Sequence, residues 1–106
     1  MDIINLTVHD IIIVKNEKTE IIPPSGAVAR CETQEVLIGR VNEVDIYKIN
    51  YGKVTGLPPA NKNTVYITSA LVAQAVKEMR NDVLIPNDFV RDEKGVIIGC
   101  KSLAQV

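Results

Sequence analysis

The chain has 106 residues, enough for one domain whose single hydrophobic core needs neither disulfides nor a metal. Its 12 basic and 13 acidic residues are interspersed and give a formal net charge of −1 at pH 7. Proteins that bind nucleic acid usually carry a basic face, and the absence of any Lys/Arg cluster argues against such binding here.

Strands are expected in the first third of the chain, because Ile and Val dominate its apolar residues and β-branched side chains favour pleated surfaces. Short apolar runs at Ile3–Leu6 and Ile11–Val14 predict two strands, and Thr19–Ile22 is predicted to form a hairpin with the second. Pairing must stop at Pro23-Pro24, since neither proline has an N–H to donate. We expect a strand to resume over Ala27–Cys31.

A second hairpin is predicted from Glu35–Val41 and Val44–Tyr51. In its second strand, one face carries Val44, Ile46 and Lys48, and the other carries Asp45, Tyr47, Ile49 and Tyr51. Neither face is cleanly apolar. The hairpin is therefore expected at the margin of the sheet, or paired with a second copy of the chain.

The second half contains the one predicted helix. A strand at Thr64–Ile67 leads into it, and Val83–Ile85 is a short strand predicted to stop at Pro86. Phe89–Arg91 and Val96–Cys100 are predicted to close the fold as a hairpin. The apolar stripe of the helix consists of Leu71, Val72, Ala75, Val76 and Met79, which recur at helical spacing.

These elements predict an α+β fold, namely a small, mostly antiparallel, curved sheet with a single helix packed on one face. Nothing along the chain suggests a linker or an internal repeat, so residues 1–106 are expected to form a single globular domain. Asp2 occupies a place where a signal peptide would be positive, and the longest apolar run is far too short to span a membrane. The expected location is the cytoplasm, which is that of the host cell if a phage encodes the protein. Cys31 and Cys100 are expected to be reduced core residues.

The junction of strand and helix at Thr68-Ser69 is the first candidate site. Its hydroxyls and the free N–H groups of the first helical turn could hold a phosphate or carboxylate. Alternatively, either residue is simply the helix N-cap. Leu71 and Val72 stand where a capping box would place Glu or Gln, so some N–H donors should stay open to water or ligand.

His9 is the chain's only histidine and could act as an acid or base, or donate a hydrogen bond to a ligand. The neighbouring Asp10 is poorly placed to orient it, because adjacent residues of an extended segment point to opposite faces. One histidine and two remote cysteines show no metal-ligand spacing, so no metal is predicted. A His–Cys pair using Cys31 or Cys100 stays open.

Arg30, Arg91 and Asp92 complete the candidate residues. Both arginines border apolar strands, and a fixed guanidinium is a natural bidentate clamp for phosphate or carboxylate. The alternative is an internal salt bridge or a solvated strand end. The predicted ligand-binding set is His9, Arg30, Thr68, Ser69, Arg91 and Asp92.

Several motifs together resemble a family of small proteins from bacteriophages and prophage-bearing bacteria. They are Asn5-Leu6-Thr7-x-His9, Pro24-Ser25-Gly26-x-Val28-Ala29-Arg30, Gly52-x-Val54-x-Gly56-Leu57-Pro58, Tyr66-Ile67-x-Ser69-Ala70-Leu71-Val72-Ala73 and Val90-Arg91-Asp92-x-x-Gly95-x-Ile97-Ile98-Gly99-Cys100. The resemblance covers nearly the whole chain in order, although the family usually has proline where this chain has Val8. It implies a phage setting and a compact single-domain product, and no particular reaction.

The sequence thus predicts a small phage-type protein that captures a phosphorylated or nucleotide-like small ligand and counters host defence signalling. We expect a homo-oligomer that uses no cofactor. One alternative is a small enzyme acting on a nucleotide-like substrate, with His9 as its acid or base. Another is a protein–protein inhibitor that uses an exposed strand edge such as Asp45–Tyr51. Binding is preferred to catalysis, because the ionisable groups form no convincing dyad or metal set.

Overall fold

The structure is a computed structural model that describes residues 1–106 and contains eight strands and one helix. The elements are β1 (Asp2–Asn5), β2 (Ile11–Lys15), β3 (Lys18–Ile22), β4 (Arg30–Val41), β5 (Val44–Thr55), β6 (Thr64–Ile67), α1 (Ala70–Val76), β7 (Val83–Arg91) and β8 (Ile97–Gln105). Six strands form one sheet in the order β1-β6-β7-β8-β2-β3, and β4 and β5 form a separate two-stranded sheet.

The six-stranded sheet is mixed, which corrects the mostly antiparallel sheet expected from the sequence. β1 pairs parallel to β6, β6 parallel to β7 and β2 parallel to β8, while β7–β8 and β2–β3 are antiparallel. The parallel β6–β7 pair arises because α1 is a crossover connection between them, and parallel neighbours require such a connection. Likewise, β6 pairs parallel to β1 because the long connection between them, which contains the β4–β5 hairpin, brings the chain back beside β1 in the same direction. The α+β class and the curvature of the sheet are as predicted.

β6 is the centre of the core, because its side chains are buried on both faces. Tyr66 packs with Leu6, Ala29 and Val72 on the face that α1 covers. Ile67, on the opposite face, packs with a second group, Ile11, Ile13 and Cys100. Burial on both faces explains why β6 lacks the alternation of apolar and polar residues seen in strands with one wet face.

α1 is shorter than its apolar stripe suggested. It ends at Val76, and Met79 lies beyond it with an exposed side chain. Val72, Ala73 and Val76 are the buried residues of the helix, so Ala73 belongs to its packed face. The fold contains no helix with the length and apolar character needed to cross a membrane.

β7 runs through Pro86, whereas the sequence predicted a strand that stops there. Pro86 lies opposite Leu103 of β8, and β7 continues to Arg91. Pairing between β7 and β6 extends only to Leu84. One edge of β7 is therefore free beyond that residue, and a proline is tolerated at a free edge because no ladder bond is lost.

The β4–β5 hairpin, which we call the arm, consists of residues 30–55 and projects from the rest of the fold. Every residue of it is exposed except Cys31 and Val54, which lie at its root and are partly buried. Its strands pair from Arg30↔Thr55 to Val41↔Val44. The predicted hairpin and its two faces are confirmed, but both strands are longer than expected and lie outside the main sheet.

Candidate functional site

Three of the six predicted ligand-binding residues, His9, Arg30 and Ser69, meet at one cleft of about 340 Å³. Each comes from a different part of the chain, namely the β1–β2 loop, the root of the arm and the start of α1. The remaining lining residues are Leu6, Thr7, Val8, Val28, Ala29, Cys31, Leu71 and Val72. We call this space the His9 cleft.

Asn5 shapes the loop that carries His9. Its side chain is buried, and Nδ2 donates to the carbonyl oxygens of His9 at 2.7 Å and Ile22 at 2.9 Å. Its Oδ1 accepts from the Thr7 backbone N–H at 2.9 Å and from the Thr7 hydroxyl at 2.7 Å. One side chain thus fixes both ends of the 6–10 loop and ties it to β3. His9 is exposed at the rim of the cleft, and its ring makes no hydrogen bond within the chain.

Arg30 is placed by the segment that precedes β4. The Ala29 N–H donates to the Leu6 carbonyl at 3.0 Å, which brings this segment beside the loop of His9. Gly56 packs directly against this segment. A Cβ at that position would overlap the carbonyl oxygen of Val28. The Arg30 side chain is exposed and makes no ion pair within the chain. Its guanidinium is available to a bound anion.

Ser69 is the N-cap of α1, as the alternative interpretation of the Thr68-Ser69 junction proposed. Its Oγ accepts from the Val72 N–H at 3.3 Å, and the first turn contains no acidic residue. The N–H groups of Ala70 and Leu71 donate to no acceptor in the chain. Of these two residues, Leu71 lines the cleft. The cap thus satisfies one donor of the turn and leaves others free.

The His9 cleft is lined by basic side chains and by no acidic ones. Its lining includes no Asp or Glu, and its only basic side chains are Arg30 and His9. Asp10, next to His9 in sequence, lines a different, mostly apolar cleft against β7 and β8. A site with a guanidinium and no competing carboxylate favours an anion.

Thr68, Arg91 and Asp92 do not line the His9 cleft. Thr68 is fully buried, and its hydroxyl donates to the Ser69 carbonyl at 2.9 Å. Arg91 Nη1 donates to the Gly95 carbonyl at 2.8 Å, across the turn between β7 and β8. Asp92 Oδ1 accepts from the N–H groups of Lys94 and Val96 in the same turn. These three side chains thus form hydrogen bonds with nearby backbone groups and do not contribute to the cleft.

The two cysteines lie in different environments. Cys100 is buried among the core residues beneath β6. Cys31 is only partly buried and borders the His9 cleft, where its Sγ lies 3.5 Å from the Glu32 carbonyl oxygen and 3.8 Å from that of Gly52. No group of three or more His, Cys, Asp or Glu side chains is arranged to hold a metal ion.

Sequence reasoning missed two polar features. One is the Asn5 network, whose only sequence signal is the Asn-Leu-Thr motif itself. The other is a bidentate pair in which Arg80 Nε and Nη2 donate to Asp82 at 2.9 and 2.8 Å. The hydrogen bonds from Arg80 hold the pKa of Asp82 below its ordinary value, and the same bonds raise the pKa of Arg80. The pair fixes the turn between α1 and β7.

Comparison with known proteins adds no further assignment. No protein-family model matches the chain, and neither a curated protein nor a solved structure shows a significant match. The resemblance to phage proteins stays a prediction.

Proposed function

We propose that the protein binds a small phosphorylated or nucleotide-like ligand in the His9 cleft. The observation that carries this proposal is the convergence of His9, Arg30 and Ser69 on one cleft that contains no carboxylate. In this arrangement Arg30 pairs with the phosphate, and the Ser69 hydroxyl and the His9 ring donate hydrogen bonds to it. The two-turn helix is too short to contribute a strong dipole, so Arg30 supplies most of the charge.

The size and lining of the cleft suit a small molecule. A volume of about 340 Å³ lies near the lower end of the range of about 300–1,000 Å³ that small-molecule pockets occupy. Seven of the eleven lining residues are hydrophobic. An apolar wall beside an anion clamp matches a ligand that combines a phosphate with an organic ring. In a phage, capture of such a ligand would sequester a host signalling nucleotide.

Catalysis is the less favoured function, although the cleft contains both His9 and Cys31. The Cys31 thiol is directed toward the backbone carbonyls of Glu32 and Gly52. No carboxylate of the cleft orients the imidazole of His9. A nucleophile, a base and a group that orients the base are the arrangement that covalent catalysis requires, and the third member is missing.

The first test is native mass spectrometry of protein purified from cells, followed by denaturation and analysis of any released small molecule. The second is calorimetric titration with AMP, inorganic phosphate and adenosine. We expect AMP to bind more tightly than either fragment. Arg30→Gln should weaken AMP binding by at least tenfold. The matched control is Arg91→Gln, which removes an exposed arginine outside the cleft and should change affinity less than twofold.

Equal effects of the two arginine variants, or no AMP binding at millimolar concentration and no released molecule, would refute the proposal. His9→Ala separates binding from catalysis. A binding protein should lose a few-fold in affinity for AMP, since one exposed hydrogen bond contributes about 1 kcal/mol. An enzyme should instead retain binding and lose orders of magnitude in turnover.

A further inference from the structure

The chain exposes more surface than a monomer of its size usually does. Its accessible surface is 7,706 Å², whereas an 11.6 kDa monomer is expected to expose about 5,800 Å². Only 15 of the 106 residues are buried. The radius of gyration is 16.4 Å, against about 13 Å for a compact chain of this length. The excess of about 1,900 Å² exceeds the roughly 800 Å² that each partner buries in a standard interface.

Much of this excess surface belongs to the arm. One of its faces carries an apolar patch formed by Leu37, Tyr47, Ile49 and Tyr51, whose exposed fractions lie between 48% and 56%. The pairs Leu37↔Tyr47 and Glu35↔Ile49 place these residues on one side of the hairpin. Two of the three tyrosines of the chain lie in this patch. Tyrosine is enriched at the centres of protein interfaces, where its ring is buried and its hydroxyl finds a partner.

The arm is shaped for contact through this face rather than through its edges. Its ladder is interrupted twice, between Cys31 and Thr33 and between Leu37 and Gly39. Such bulges disturb the row of backbone donors and acceptors that a further strand would need. The charged pair nearest the patch, Arg40–Asp45, is already satisfied within the arm. Packing on the face leaves no charge of that pair without a partner, whereas Glu35, opposite Ile49 on the same face, makes no ion pair within the chain, so its carboxylate must lie at the solvated rim of the contact.

A second uncovered apolar surface lies on β7 and β8. We call it the ledge; it consists of Phe89, Ile97 and Ile98, all of them exposed. Phe89, Ile97 and Ile98 also line an apolar cleft of about 180 Å³ that ends at Cys100. Each chain thus has one protruding arm with an apolar face and one uncovered apolar cleft.

We propose that two copies of the chain form a symmetric dimer in which the Tyr47 face of each arm packs on the ledge of the other copy. A second copy is the occupant favoured by the surface, because it supplies both an arm and a ledge, and the excess surface of about 1,900 Å² is more than one partner of a standard interface buries. A twelve-residue strand reaches about 40 Å, enough to extend from one copy across another. Reciprocal contacts of this kind close under twofold symmetry and leave no arm free.

Mass measurement over 10–200 µM protein, by light scattering coupled to gel filtration, tests the dimer. We expect twice the chain mass of 11.6 kDa. Ile49→Asp in the arm and Phe89→Lys on the ledge should each shift the dissociation constant upward at least a hundredfold and give monomers. The matched control is Ile3→Asp, which places the same charge at a similarly exposed position on the edge strand β1, outside both surfaces.

Mixing the two monomeric variants provides the decisive measurement. The mixed pair contains one unaltered arm–ledge contact and one Asp–Lys pair, so a heterodimer should form. Recovery of the dimer also shows that both variants are folded. A wild-type chain that is monomeric at 200 µM would overturn the proposal, as would a dimer that Ile49→Asp or Phe89→Lys leaves intact. So would two monomeric variants that fail to pair when mixed.

Discussion

Replacing Asn5 by alanine is expected to destabilise the fold more than any change in the rim of the His9 cleft. The Asn5 side chain is 1% exposed and makes four hydrogen bonds, to His9, Ile22 and twice to Thr7. A typical intramolecular hydrogen bond contributes about 1 kcal/mol, and a buried partner left without one costs more. His9 is exposed and its carbonyl regains water, whereas Thr7 and Ile22 are partly buried and their groups regain less. We expect a loss of about 2–4 kcal/mol in the free energy of unfolding.

Urea denaturation followed by far-UV circular dichroism measures this loss as a lower midpoint with an unchanged slope. The matched control is Asn87→Ala, since Asn87 is exposed and makes a single side-chain hydrogen bond, to Ser102 Oγ at 3.0 Å. That variant should lose less than about 0.5 kcal/mol.

Asn5→Asp separates hydrogen bonding from packing. Aspartate has nearly the volume of asparagine, so no cavity forms, yet a carboxylate has no donors and would face two carbonyl oxygens. The variant should therefore be at least as unstable as Asn5→Ala at pH 7, and it should lose less stability in acid, where a protonated carboxyl can donate again. An Asn5→Ala protein within 0.5 kcal/mol of wild type, or as stable as Asn87→Ala, would refute the role given to this side chain.

Two further changes test other supports of the fold. Because its hydrogen bonds with Arg80 lower the pKa of Asp82 from 3.8, the pair stabilises the fold above pH 3.8, and this contribution is lost as pH falls through the lowered pKa. Asp82→Asn should cost about 1.5–3 kcal/mol at pH 7 and should flatten the acid limb of the stability–pH curve measured by urea melts; an unchanged acid limb would contradict this. Gly56 has φ +80 and no room for a Cβ beside the Val28 carbonyl, so Gly56→Ala should lower the free energy of unfolding by at least 2 kcal/mol. Gly39→Ala meets no atom within 4 Å and should differ little from wild type, and similar thermal melts for the two alanine variants would refute the packing argument.

Local patterns in the sequence were enough to place most elements. The turns and Pro23-Pro24 mark where strands end, and the run of β-branched residues at β2 and the apolar spacing of α1 specify their types. That Thr68 or Ser69 could cap the helix follows from residue type and position, and the structure shows that Ser69 does so. The closing hairpin from Phe89 to Cys100 is likewise a local feature, because its turn residues Asp92 and Gly95 lie only three positions apart in sequence.

The direction of strand pairing is not a local property, which is why the sheet was expected to be mostly antiparallel. A β6–α1–β7 crossover and the return from the arm make parallel neighbours, and both depend on where distant segments pack. Pro86 inside β7 has the same origin. Whether a proline breaks a strand depends on the neighbour at its edge, and the sequence of β7 does not contain that neighbour.

The same distinction between local sequence and tertiary packing applies to the candidate site. Residue chemistry, together with position beside the predicted strands and helix, singled out His9, Arg30, Ser69, Thr68, Arg91 and Asp92. Only the tertiary structure brought the first three to one cleft and left Arg91 at a distant turn. A side chain's chemistry is fixed by its own identity, whereas its neighbours are chosen by the packing of segments far apart in the chain. Asn5 is the opposite case. Its residue type gave no reason to select it, yet it becomes the centre of a buried hydrogen-bond network because β1, the His9 loop and β3 meet around it.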